Sequence, residues 1–572
     1  MRAWLLFVGG CGISTGAAPV GDPAWAPEVA CPGGPECADN DGALKVGVAV
    51  RSITPACYES WEDRSEPLDW VWQSSTDPFF DCGCDRLCPG DPGYTAADAG
   101  EGDGAFQAIW LGGFQNKRPA TGVRGADRGM IGEGDDLETR ALVIDQGGTR
   151  LAIVTMDALG VMHDQVLMIR EAVLEAGLGV DHVMVHSSHS HSAPDSLGIY
   201  GPSYASSGWN ADLADQQQAA VVEAVREAAG ALVEVEMSWG QVDATTYWEN
   251  GVANLISDTR DPVVVDPMVS VVRFAAGAET VATVVHWANH PETIADENTL
   301  MTADFVHGVR KVVSEGSRWP GGLTRPGIGG TTLFINGTVG GMMTSLRASV
   351  VDPEGNTWRD HSWEKVDAVG QLVGELALDA VAAAVPAEAP KLRFVTEPID
   401  LRIDNTGFQA MFLLDVFAER TTINWDEEVP LSESNKPYLQ TEVGVVELGP
   451  LQMVWIPGEV FPEAALGGYD GSLTPPGSTI LSADNEHPPD LAAAPTGPYL
   501  RDRMGGELKW VVSLGNDEIG YLMPAYDYKL AEVGAYVNEA EGDHYEETNS
   551  ISAETWPALE ALSDELIGWL AQ

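Results

Sequence analysis

The pattern that most restricts this chain is the alternation of short apolar runs with amphipathic helical stretches between residues 44 and 390. VGVAV (46–50), RLAIVTM (150–156) and HVMV (182–185) are continuous apolar runs, the mark of strands covered on both faces. Helical spacing of apolar residues follows over 163–176, 212–232, 302–314 and 363–385, with Thr302 placed to act as an N-cap. PMVSVVRF and ETVATVVHWA, joined by AAGA, predict an antiparallel hairpin, and TTLFING (331–337) a strand entering a glycine-rich turn. Strands alternating with helices, with at least one antiparallel pair, predict an α/β fold built on a mixed sheet. VPAEAP (385–390) reads as a linker or crossover. Beyond it the chain turns β-rich, with strands near 392–403, 442–456 and 509–514 and a closing helix over 553–570. The expected divisions are a signal and linker over 1–43, an N-terminal α/β part over 44–390 and a C-terminal part over 391–572.

Charge narrows the function. Against 86 Asp plus Glu the 572 residues carry 31 Lys plus Arg, a net charge of −55. So few cations exclude a counterion-releasing nucleic-acid surface and polybasic docking on anionic lipid. With 44% hydrophobic residues, the bulk of the chain is not intrinsically disordered. An acidic, soluble surface of this kind suits a saline or extracellular habitat.

The N-terminus, MRAWLLFVGGCG, offers Arg2 and a short apolar stretch ahead of Val8-Gly9-Gly10-Cys11. This is either a lipoprotein signal, with Cys11 as the lipidated residue, or a plain secretion signal. Both place the protein outside the cytoplasm. All seven cysteines fall within the first 88 positions, and without Cys11 the remaining six suit three disulfides in an oxidising compartment, their pairing open. An acidic, Cys-rich insertion covers about 57–104. In it Asp81, Asp85, Asp91, Asp98, Glu101 and Asp103 form either a calcium loop or a solvated loop stapled by disulfides.

Four segments carry candidate chemistry. VHSSHSHSAPDS brings His186, His189 and His191 together, and an extended backbone there would turn His189 and His191 to one side, ready for a metal. In VVHWANHPETI a strand ends at His286, and Pro291 restricts the backbone of His290. LQMVWIPGEVFPE presents Glu459 just past a buried strand and a Pro-Gly turn, and LGNDEIGYLMP presents Tyr521.

Together these segments resemble the neutral ceramidases, zinc-dependent N-acylsphingosine amidohydrolases. SSHSHSAPDS is similar to the family's THTHSGP motif, and ANHPETI with TAD (302–304) to its second histidine segment and the aspartate after it. IPGE matches its PGE, and LGNDEIGY aligns with LxNxYxxY, the order holding over about 44–550. The resemblance implies a zinc ion held by His189, His290, Glu459 and Tyr521, with His191 beside the substrate as general acid. The C-terminal part would then complete the metal site. It implies cleavage of the N-acyl bond of ceramide or a similar lipid amide by a zinc-bound water. Membrane contact would come through the substrate or an N-terminal lipid anchor.

Three departures stand against it. The family's serine-bearing turn reads INGTVGGMMTSL here, with Gly341 and Met343 in the critical places, which leaves zinc-water attack rather than a serine nucleophile. The family's arginine has no counterpart in WENGVANLIS, where Val252 is the nearest position, and the family's C-terminal immunoglobulin-like domain is not expected. A zinc hydrolase of another amide or ester is therefore one alternative. A non-catalytic surface protein that retains the fold is the other.

Overall fold

The structure, a computed structural model, describes residues 26–34, 37–59, 81–85, 87–104, 106–125, 134–341, 343–426 and 428–572. Cys11 and the N-terminal signal lie outside the described residues.

Three five-stranded sheets surround a common core. In spatial order the first is His182–Ser187, Thr149–Met156, Glu138–Gln146, Leu44–Ser52 and Val233–Glu234. The second is Thr331–Asn336, Glu279–Trp287, Met268–Ala276, Glu236–Asp243 and Val385–Pro386. The third is Val29–Cys31, Leu392–Arg402, Tyr438–Leu448, Leu451–Trp455 and Leu508–Val512. Each sheet has a parallel pair at one edge and is otherwise antiparallel. This is the mixed α/β architecture the alternation predicts.

Period-two alternation explains why the strands read as unbroken apolar runs. Leu142 and Ile153 of the first sheet, Val272 and Val284 of the second, and Val446 and Trp455 of the third meet in one central cluster. Their neighbours Val143 and Val154, Val271 and Val285, and Val445 and Val454 face outward into three separate clusters. Helices His163–Glu175 and Ala211–Gly230 cover the first sheet, Phe305–Glu315 and Trp363–Ala382 the second, and Thr555–Leu570 the third. Among the described residues no helix is long and apolar enough to cross a membrane.

Local details correct the sequence reading. The helix near 302–314 begins at Phe305, and its cap is Asp304, whose carboxylate accepts the Phe305 N–H at 2.7 Å. Thr302 is too early for that role: its hydroxyl donates to Asp135 and accepts the Asp304 N–H at 2.9 Å. The run over 442–456 is two strands, Tyr438–Leu448 and Leu451–Trp455, folded back at Gly449. Val385 and Pro386, read as linker, pair with Trp239 and Ser238 at a sheet edge.

The six paired cysteines form Cys31–Cys37, Cys57–Cys84 and Cys82–Cys88. The acids of the insertion cap their own loop. Asp81 accepts the N–H groups of Gly102 and Gly104 at 2.7 and 2.8 Å, Asp98 those of Cys84 and Asp85 at 3.1 and 2.8 Å, and Asp91 that of Cys88 at 3.0 Å. Asp85 accepts from the Leu87 N–H, Glu101 from the Tyr94 hydroxyl and Asp103 from the Gln107 side chain. Among the described residues, no three of these carboxylates bring ligand atoms within 4.8 Å of one another.

Candidate metal centre

Both strands of a parallel pair end on the same side, and the segments leaving those ends build the site. From the first sheet, Thr149–Met156 leads to Leu159 and His182–Ser187 to His189 and His191. In the second, Glu279–Trp287 leads to His290 and Thr331–Asn336 to the glycine turn ending at Met343. In the third, Leu451–Trp455 leads to Glu459 and Leu508–Val512 to Glu518 and Tyr521. Two buried asparagines stitch these segments together. Asn336 donates its side-chain amide to the Ser188 carbonyl at 2.6 Å, and the Asn516 side chain accepts the Val185 N–H at 2.7 Å.

His189 and His191 meet by a route other than strand alternation. The strand ends at Ser187, and His189 has φ +67°, a left-handed conformation costly for a residue with a Cβ. The turn brings the two rings to a centroid distance of 4.8 Å, edge to face. The His189 and His290 rings also lie 4.8 Å apart, and a ring nitrogen of each of His189, His191 and His290 lies within 4.8 Å of the others.

Backbone carbonyls orient two of the rings. His189 Nδ1 donates to Leu159 O at 2.7 Å and His290 Nδ1 to Met343 O at 2.9 Å. Each Nε2 is thereby turned toward Glu459, at 3.5 Å from Oε1 for His189 and 2.9 Å from Oε2 for His290. Thus Met343, at the place where the resemblance puts the family's serine, contributes its backbone carbonyl. Its turn sits tightly against the Glu459 segment: a Cβ on Gly340 would come within 2.6 Å of the Glu459 carbonyl oxygen. Tyr521 lies directly across from Glu459 in a two-residue parallel pairing, Glu459–Val460 with Tyr521–Leu522.

Electrostatics follow from this crowding. Burial alone would raise the Glu459 carboxyl, but His189 and His290 outweigh it and hold it at about 2. Burial disfavours a charged His290, yet Glu459 outweighs that and raises the ring's pKa. Two ring nitrogens facing one carboxylate are donors that a divalent ion can bind in place of a proton, so the set fits a metal. His191 is different: burial, then its two histidine neighbours, push its pKa well down, so it stands neutral. Burial and the Glu459 charge push the Tyr521 phenol well up. A phenolate there needs a cation at its side.

Two acids in the site escape the sequence reading, although both lie inside the quoted motifs. Glu292, of ANHPETI, is buried with Oε2 at 3.4 Å from His191 Nδ1. Glu518, of LGNDEIGY, forms a second group with His189 and Glu459 whose ligand atoms lie within 4.8 Å. It stands at the first tyrosine position of LxNxYxxY. The remaining histidines of the two clusters are core residues. His186 Nε2 accepts the Asn336 N–H at 3.0 Å, and His286 stacks on Trp510 at 5.0 Å. Asp304 lies behind the His290 turn, accepting the Ile294 N–H at 3.2 Å. Val252 packs in the core beneath the second sheet.

His189, His191 and Glu459 line a cavity of about 290 Å³ together with Glu292, Glu518 and Tyr521. Its apolar lining includes Phe408 and Phe412 from helix Thr406–Leu413, and Phe417. Arg420 also lines it, held bidentately by Asp517 at 2.7 Å on each arm.

No protein-family model and no curated protein matches this sequence. Solved structures do. The neutral ceramidase from Pseudomonas aeruginosa superposes with a TM-score of 0.56 at 14% identity, over 93% of this chain and 75% of that one. A ceramidase complexed with C2 superposes with a TM-score of 0.53 at 12% identity, over 93% of this chain and 76% of that one. The chain therefore has the neutral ceramidase fold, at an identity low enough to make it a divergent example.

Proposed function

We propose that this protein is a zinc-dependent amidohydrolase that cleaves the N-acyl bond of ceramide or a similar lipid amide. One observation carries the reading: His189, His290 and Glu459, each carried by a different sheet, converge, and His189 and Glu459 line a cavity that Phe408, Phe412 and Phe417 also line. In this reading His189, His290, Glu459 and Tyr521 hold the ion. Two imidazoles, a carboxylate and a phenolate are acceptable zinc donors. When bound, zinc supplies Lewis-acid polarisation of an amide carbonyl and makes water more acidic.

The chain's own groups do the rest. The Leu159 and Met343 carbonyls fix the two ligating rings. Phe408, Phe412 and Phe417 take a hydrocarbon chain out of water, which orients the amide toward the histidines. His191, neutral at rest, takes a proton from the attacking water and hands it to the departing nitrogen, and Glu292, 3.4 Å from its Nδ1, steadies the ring for both transfers. The fold shared with ceramidases supports a lipid amide as substrate. The three disulfides support an extracytoplasmic location, with Cys11 as the site of a lipid anchor.

A second reading keeps the centre and changes the acyl substrate to another amide or an ester. The missing family arginine favours it: Val252, the nearest position, is a core residue. Purified protein assayed for fatty-acid release from ceramide, and from a panel of acyl amides and esters, with and without a chelator, separates the two. Chelator-sensitive release from ceramide supports the first reading; turnover confined to other substrates supports the second. No hydrolysis of any of them, or full activity and metal content in His189→Ala, sinks both.

A further inference from the structure

We propose that Glu518 is a further protein ligand of the same ion, an assignment that rests on the metal-centre reading above. Its carboxylate is aimed. Oε1 accepts the Gly520 N–H at 2.8 Å, while Oε2 is buried and has no hydrogen-bond partner. Buried carboxylate oxygens are seldom left unpaired, because desolvation is not offset unless something binds them. The direction of aim is toward the cluster: ligand atoms of Glu518, Glu459 and His189 lie within 4.8 Å of one another, and all three residues line the cavity.

The backbone makes room for this side chain. Gly160, in the segment leaving Thr149–Met156, is packed against it so closely that an added Cβ would sit 2.6 Å from Glu518 Cβ. Two carboxylates brought together in a dry pocket repel, and a divalent cation between them turns that repulsion into attraction.

The geometry points to one ion rather than two. His189 belongs to both donor groups, the one with His191 and His290 and the one with Glu459 and Glu518. Its Nδ1 is engaged by Leu159 O, so one nitrogen is left to serve one ion. Adding Glu518 to His189, His290, Glu459 and Tyr521 raises the protein donors above the four of a tetrahedral zinc site. The centre then favours five or six coordination, the geometry of first-row ions with mixed nitrogen and oxygen ligands.

Cobalt substitution tests this without an activity assay. Co2+ absorbs strongly in the visible when four-coordinate, less when five-coordinate and least when six-coordinate. Five protein donors with the water of the proposed reaction make six, so the wild-type protein loaded with Co2+ is expected to give the weakest of these spectra. Glu518→Gln, close to isosteric, is expected to strengthen it and to weaken Zn2+ binding by about 100-fold. An intense four-coordinate spectrum in the wild type overturns the proposal, and that measurement decides even if Glu518→Gln does not fold. So does a folded Glu518→Gln that binds Zn2+ within about twofold of wild type. His189→Ala separates the two levels of the argument. If the wild type binds no divalent ion, the metal-centre reading fails. If His189→Ala abolishes binding and Glu518→Gln does not, Glu518 alone loses its role.

Discussion

At the scale of single residues, the site is a set of carbonyl-oriented rings around a carboxylate. His189 is the residue least like what its sequence suggests. An i, i+2 pair at a strand end invites the period-two explanation, but the strand stops at Ser187 and His189 turns through φ +67°. The residue types were legible in the motif; the turn that aims them was not, because it depends on Leu159 O, contributed by another strand's exit. Glu292 and Glu518 were illegible for a related reason. A glutamate in a loop is usually solvent-facing even inside a motif, and only the three-sheet assembly shows these two buried. Two substitutions test the division of roles. His191→Gln is expected to lower kcat by about 10²–10⁴-fold with bound metal retained, as loss of a general acid requires; loss of the metal itself would make His191 a ligand. Tyr521→Phe keeps the ring against Phe461, 6.2 Å away, and removes only the hydroxyl. A donor role predicts at least about tenfold weaker Zn2+ binding, and unchanged binding by titration would remove Tyr521 from the donor set.

Secondary-structure elements carry these residues into register, and here the sequence says what each element is but not which elements meet. The buried runs near 46, 150 and 284 read correctly as strands because both their faces are covered. Their grouping into three sheets rests on long-range pairings, such as Leu451 with Leu508 in the third sheet, that no local pattern announces. Two elements show how tightly the assembly is held. The Gly340 turn lies on the Glu459 segment, its N–H donating to the Val460 carbonyl at 2.9 Å. Gly340→Ala is expected to cost about 1–3 kcal/mol and to weaken metal binding, because Met343 can no longer keep its place against His290. Retained Zn2+ affinity in that variant would show that the turn is not what positions the ring. The second is the ion pair joining helix His163–Glu175 to strand Tyr438–Leu448, in which Arg170 meets Glu442 bidentately at 2.9 and 2.5 Å. Burial would raise the Glu442 carboxyl, but Arg170 outweighs it and holds it at about 2. A carboxyl depressed in the fold contributes stability above its unfolded value near 4.5, and that contribution is lost as the pH falls toward 2. It amounts to about 3 kcal/mol. Arg170→Ala is therefore expected to cost about 3–5 kcal/mol at neutral pH, with the gap to wild type narrowing in chemical denaturation below pH 4.5. A gap independent of pH would mean that Arg170 acts by packing alone.

Across the whole molecule the three sheets share their inner faces, so much of the apolar sequence is used in one centre, and charge is left to the outside. The net charge of −55 overstates the acidity of that outside, because buried acids outnumber buried cations among the described residues. Several of the 31 cations are interior groups. Arg118, Arg260, Arg310 and Lys365 are all buried, and Arg310 is committed to Asp157 at 2.8 and 2.9 Å. Arg260 is enclosed by Asp527, Glu546 and Glu547. The solvent therefore meets an acidic surface with few partners, whose mutual repulsion opposes the compact state. Screening must relieve it. As ionic strength rises from about 0.01 M to about 0.15 M the Debye length falls from roughly 30 Å to roughly 8 Å, and the melting temperature is expected to climb over that interval. NaCl and KCl should act equally, since screening does not distinguish monovalent cations. Calcium at matched ionic strength separates a diffuse effect from a local one. An equal rise in Tm means that the acids of the 81–103 loop act only through their charge. A further, saturable rise, abolished by Asp98→Asn, means that the loop binds the ion after giving up some of its own N–H caps. A melting temperature that falls with added NaCl would show instead that the surface ion pairs outweigh the repulsion, and that the acidic exterior is not a source of instability.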